Sequence, residues 1–149
     1  LSTFEEDLNI NFLSMVKSLQ KVINNLKKSG NASVVLFSTV AVKVGMPFHT
    51  SVSASKGAIE GFARSLAAEY APLLRVNVIA PSLTDTPMAQ RFLNNDLKKE
   101  KVGDKHPLKR HGNANDIANS VVHLLSDNSS WITGQTFGVD GGMSSINLS

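Results

Sequence analysis

Apolar residues keep two rhythms along this chain. In the first they run together without alternating with polar ones. Val34-Val35-Leu36-Phe37 is such a run; a second apolar stretch, Val76 to Ala80, holds one polar residue, Asn77, and stops at Pro81. Short unbroken apolar runs predict strands covered on both faces, the habit of parallel sheets. Strands are expected over 33 to 39, 75 to 80 and 135 to 139. In the second rhythm apolar residues recur at three- and four-residue steps. Phe4, Leu8, Phe12, Met15, Leu19, Val22, Ile23 and Leu26 predict one amphipathic helix over 4 to 28, with Gly30 near its C-cap. Thr3 and Glu6 read as a capping box at its start. An Ala-rich helix is predicted over 52 to 71 and another over Asn113 to Leu125, with Asp116 in its first turn. Residues 88 to 109 are charged and irregular and predict short helices forming a lid. Strands alternating with helices give an α/β class: three parallel strands with helices on both faces.

Ligands bind at the carboxyl ends of strands in such sheets. Here those ends carry the hydroxyls Ser38 and Thr39, the segment Ser82-Leu83-Thr84-Asp85-Thr86 after Pro81, and Lys56 near a helix start.

Composition narrows the classes. A length of 149 residues allows one domain with a sizeable core, and 42% apolar residues is ordinary for a globular chain. No stretch nears the roughly 20 apolar residues of a membrane span, and no basic-then-apolar leader opens the chain. With no Cys there are no disulfides or zinc-thiolate sites, and the expected location is cytoplasmic. The net charge of +3 reads as a mildly basic enzyme surface or as attraction to an anionic ligand such as a dinucleotide; no dense basic run interleaved with aromatics points to nucleic acid. His106, His111 and the two other His lack metal-ligand spacing and read as solvated or ordinary polar side chains.

Three stretches carry a resemblance: Ser38-Thr39-Val40-Ala41, Ser53-Ala54-Ser55-Lys56-Gly57-Ala58 and Arg75-Val76-Asn77-Val78-Ile79-Ala80-Pro81. Together they resemble the short-chain dehydrogenase/reductase family, which moves hydride between NAD(P) and an alcohol or carbonyl. The resemblance covers essentially the whole chain, which corresponds to the family's second half. It implies a Rossmann-like, doubly wound domain of which residues 1–149 form the C-terminal part, without the Gly-rich cofactor turn. Beginning at Leu1 and one turn before a helix, the chain reads as cut from something longer. The three strands are then expected side by side in sequence order, leaving the first without its other neighbour.

The resemblance also implies site residues. Asn11 matches the family's helix Asn, which supports a local kink and a water relay to Lys. Thr39 matches its Ser, and Lys56 its Lys. The catalytic Tyr, four residues before Lys, falls on Val52. The Pro-Gly motif reads Pro81-Ser82, and Pro81, Ser82, Leu83, Thr84, Thr86 and Lys56 form the implied cofactor set, with Thr86 contacting the nicotinamide. The C-terminal Gly134-Gln135 and Asp140-Gly141-Gly142 also fit. A phenol beside an ammonium is a usable base near neutral pH, whereas Val52 has no proton to move. His49, Ser51 and Ser53 are the candidate substitutes.

Two readings follow. One is an NAD(P)-dependent oxidoreductase acting on a small alcohol or carbonyl, impaired at the Tyr position. The other is a non-catalytic binding or dimerisation protein of the same shape. NAD or NADP is expected in the complete protein and no tight binding by this chain alone. A homodimer or homotetramer is expected through the helices at 4 to 28 and 52 to 71, with Ala63 in their close-packed surface.

Overall fold

A computed structural model of the chain describes residues 2–147. Its helices are α1 (Ser2–Asp7), α2 (Ser14–Ser29), α3 (Thr50–Tyr70), α4 (Gln90–Leu93), α5 (Asp96–Asp104) and α6 (Ala114–Leu125). The strands are β1 (Ala32–Phe37), β2 (Leu74–Pro81), β3 (Thr84–Asp85), β4 (Gly112–Asn113) and β5 (Thr136–Val139). The three apolar strands form one parallel sheet in the order β1-β2-β5, as expected, with β1 at an edge. The two-residue ladder between β3 and β4 was not foreseen.

The alternation of side chains along the strands divides the sheet. Leu36, Leu74, Val76 and Val78 meet Ile59, Ala63, Leu66 and Ala67 of α3, joined by Phe12, Met15, Leu19 and Ile23. On the other face Ser33 and Arg75 reach α6: both donate to the Leu124 carbonyl, at 2.8 and 3.1 Å. Leu74, Val76 and Ile79 are fully buried, each contributing about 1.5–3 kcal/mol over an exposed placement. Asn77 is also fully buried, because it joins the sheet to the segment leading into β5. Its amide donates to the Ile132 carbonyl at 2.9 Å and accepts from the Gln135 N–H at 3.1 Å. No helix among the described residues is long and apolar enough to cross a membrane.

Three expectations are corrected. Thr3 lies inside α1, not at its cap, because the helix already begins at Ser2. The first helix is not one uniform α-helix. Residues Leu8–Leu13 form a π-helical turn, which takes an extra residue and shifts the phase of the apolar stripe; Phe4 is consequently exposed while Phe12, Met15 and Leu19 pack on the core. Ala63 is 1% exposed and belongs to the sheet-facing core, so it is not on a self-association surface.

The turn before α6 is the firmest cap in the molecule. The Asn113 side chain accepts from the Asp116 N–H at 3.0 Å, and Asp116 accepts from the Asn113 N–H at 2.8 Å. Arg110 adds a two-pronged ion pair to Asp116, at 2.6 and 2.9 Å. This guanidinium, with the Asn113 N–H, lowers the Asp116 carboxyl from 3.8 to about 2. A depressed carboxyl stabilises the fold above its unfolded value and ceases to as pH falls through the folded one. Asp116→Asn is therefore expected to lower the urea midpoint at pH 6. The difference from the parent should shrink as pH drops from about 4 to about 2, read by circular dichroism at each pH.

Candidate active site

β1 ends at Phe37, and its ladder is continued by Ser38, whose N–H donates to the Ile79 carbonyl at 2.8 Å. Thr39 is still extended and caps a short 3-10 turn, its hydroxyl accepting from the Ala41 N–H at 3.3 Å. The loop then passes Phe48, held at φ 63° in the left-handed region that side chains avoid, and enters α3. Small residues on α3 let it lie close to the sheet. Lys56 thereby reaches the carboxyl end of β1, where its ammonium donates to the Phe37 carbonyl at 3.2 Å. Partial burial lowers the Lys56 pKa, since the ammonium loses hydration. Among the described residues no carboxylate lies within ion-pair distance of it.

Val52 precedes Lys56 by one helical turn and shares its face. Asn11 approaches from the π-helical turn: its amide donates to the Ser55 hydroxyl at 3.3 Å, and that hydroxyl donates to the Val52 carbonyl at 3.0 Å. The helix at Asn11 is a π turn, and the Asn11 amide meets Ser55, the residue beside Lys56. Within the turn the Ser14 hydroxyl donates to the Ile10 carbonyl.

The three candidate substitutes for a phenol are placed differently. His49 stands at the cap of α3, exposed, with Nδ1 donating to the Pro47 carbonyl at 2.7 Å. Ser53 donates to the Ala41 carbonyl at 3.2 Å, fastening α3 to the turn after Thr39. Ser51 lies partly buried in the first turn of α3.

The segment after β2 divides between two clefts. Pro81, Thr84 and Thr86 line an apolar groove of about 500 Å³ with Phe37, Ile117 and Val121. Ser82, Leu83 and Thr84 line a second cleft of about 380 Å³ that includes His106, Arg110 and Asp140. Thr84 lies between the two. Its hydroxyl donates to the Ser82 carbonyl at 3.0 Å, and the Leu83 carbonyl accepts from the Gly112 N–H at 3.0 Å.

Some contacts had no sequence signal. Ser38, 4% exposed, donates to the Glu60 carboxylate at 2.6 Å, one turn beyond Lys56 on α3. Nothing in the order of residues joins positions 38 and 60. Ser55 reads in sequence as one small residue among many. His106 is buried rather than solvated, with both ring nitrogens partnered.

A strand whose carboxyl end meets a helical Lys, followed by a second parallel strand and a loop, is an arrangement that recurs in known proteins. A sequence model described as Enoyl-(Acyl carrier protein) reductase matches residues 1–144. The 2-(S)-hydroxypropyl-CoM dehydrogenase 3 of Xanthobacter autotrophicus is 40% identical over 119 residues, 76% of this chain and 47% of its own length. The 3-oxoacyl-(acyl-carrier-protein) reductase of Thermotoga maritima is 34% identical over 144 residues, 93% of this chain and 58% of its own. The chain therefore spans about half the length of the curated relatives it matches. Among solved structures, the ligand-free aldohexose dehydrogenase of Thermoplasma acidophilum superposes with a TM-score of 0.92 at 28% identity, over 100% of this chain and 62% of that one. The chain belongs to the short-chain dehydrogenase/reductase family.

Proposed function

We propose that the chain is the C-terminal part of an NAD(P)-dependent oxidoreductase acting on a small alcohol or carbonyl. Proton transfer in it is impaired because Val52 stands where the family has its Tyr. The observation that carries this reading is Lys56: a partly buried ammonium at the carboxyl end of β1, bonded to one carbonyl, on the helical face of Val52. The named activities of relatives, a hydroxypropyl dehydrogenase and a 3-oxoacyl reductase, support the alcohol–carbonyl class.

The donor set fits the nicotinamide end of a dinucleotide. An ammonium has three N–H donors and Lys56 uses one on Phe37, leaving two for sugar hydroxyls. Pro81, Ser82, Leu83, Thr84 and Thr86 offer backbone and hydroxyl groups for a carboxamide. The cofactor, when bound, supplies hydride acceptance or donation. Thr39 supplies a hydrogen bond to the substrate oxygen. Asn11 holds the α3 turn that carries position 52, through Ser55.

The second reading, a non-catalytic binding or dimerisation protein, is favoured by one observation. Two of the three substitutes are already engaged, His49 with Pro47 and Ser53 with Ala41.

Self-association belongs to the outer side of the first helices, where Ile10 and Val22 stand 62% and 44% exposed. Ile10→Glu is expected to reduce the oligomer size seen by light scattering. An unchanged size in a folded variant removes that surface from the assembly.

Val52→Tyr separates the two function readings. Made in the full-length natural protein, it places a phenol one turn from the Lys56 ammonium, which favours the phenolate. Turnover of some alcohol or ketone should rise by about 10²-fold or more, the lower figure for one acid–base group. Nicotinamide absorbance follows it over a substrate panel. A folded, cofactor-binding variant that stays silent selects the non-catalytic reading. In the 149-residue chain itself, calorimetric titration with NAD(H) and NADP(H) is expected to show no micromolar binding, because much dinucleotide affinity lies in a Gly-rich pyrophosphate turn.

A further inference from the structure

Three segments far apart in sequence converge on His106. The first is α5, whose Val102 carbonyl lies 2.8 Å from His106 Nδ1. A carbonyl only accepts, so Nδ1 carries the hydrogen and Nε2 of the neutral ring is an acceptor. The second is the loop after β2: Ser82 Oγ lies 2.7 Å from Nε2. The third is the turn after β5. Gly141 and Gly142 have φ of 62° and 88°, and a Cβ on either would stand 3.4 Å from the His106 ring or 3.1 Å from Pro107. That turn is pressed flat on His106 and Pro107, and its Gly141 carbonyl accepts from the Leu108 N–H at 3.1 Å. Met143 Sδ, 3.3 Å from Ser82 Oγ, is a second and weaker partner for the same hydroxyl. His106 is 3% exposed, and both ring nitrogens take their partners from the chain.

We infer that the Ser82–His106 hydrogen bond is a latch. It ties the loop after β2 to α5 and to the C-terminal turn, so the position of α5 sets the shape of the Ser82–Thr86 segment. The family resemblance puts Gly at position 82, and a Gly has no side chain with which to make this bond. The consequence for a ligand rests on the proposed placement of the nicotinamide end on residues 81 to 86; the latch does not. In that placement His106 is a positioning residue. It touches no reacting atom and acts through Ser82.

The test is a double-mutant cycle with Ser82→Gly, His106→Leu and the pair, read by hydrogen exchange with mass spectrometry on the full-length protein. Each single variant should speed exchange in both 83 to 86 and 97 to 109 by about tenfold, the factor for one net hydrogen bond lost locally. The double variant should be no faster than the worse single one, since removing both partners leaves neither unsatisfied. Exchange in β1 and β2 should stay unchanged. Additive effects overturn the latch. So does acceleration confined to the mutated segment, or acceleration of the whole sheet by the same factor. Dissociation constants for NAD(H) and NADP(H) are measured on the same variants. Weakening of several-fold by His106→Leu supports the ligand consequence. Coupled exchange with unchanged affinity supports the latch and removes the nicotinamide from that loop.

Discussion

β2 is hydrogen-bonded along both edges, to β1 and to β5, and both ladders are parallel. Parallel pairing fixes direction as well as spacing, so the last residues of all three strands must come out on one side of the sheet. Phe37, Pro81 and Val139 stand there: Phe37 and Pro81 line the apolar groove, and Val139 lines the second cleft with the residues just after Pro81. Asn77 reinforces the constraint from within the core. A buried amide in a strand is costly unless satisfied, and its two bonds hold the approach to β5 in register. The proposed site depends on that register, because it lies on chain segments that have just left it.

The polar groups at the end of β1 form two separate systems on one helix. Asn11, Ser55 and the Val52 carbonyl form a relay between the π turn and α3. Ser38 and Glu60 form the other, a short charge-assisted bond that fastens α3 to the strand end. Lys56 lies between them on the helix, partly desolvated, and its pKa is lowered for that reason. In the proposed reading, Val52 offers only hydrocarbon one helical turn from Lys56, where a phenol would meet the ammonium.

How much of this could be read from sequence depends on the range of the interaction. β1 was legible because an unbroken apolar run reports burial on both faces, a local property. α6 was legible from its apolar period and from Asp116 in its first turn, all within a few residues. Lys56 and Val52 were legible as a pair because helical spacing decides which residues share a face. Ala63 was misread because a small residue in a helix packs equally well on a sheet or on a partner helix; only the fold shows which. The burial of His106 was not legible, for a related reason. Whether a histidine is solvated depends on what folds over it, and here that is a turn 35 residues later. The phase shift at Leu8–Leu13 was hidden because an apolar residue at each three- or four-residue step reads the same whether a turn is α or π.

That π turn has an evolutionary reading. It differs from an α turn by a single residue, and one residue of α-helix is about 100° of rotation. Removing one residue between positions 8 and 13 would restore a regular helix and swing everything before the deletion around the axis relative to α2. Substitutions on these helices can therefore accumulate one at a time, whereas a single codon lost just after Asn11 would redirect Asn11 and all of α1 at once. The segment should tolerate change of identity far better than change of length.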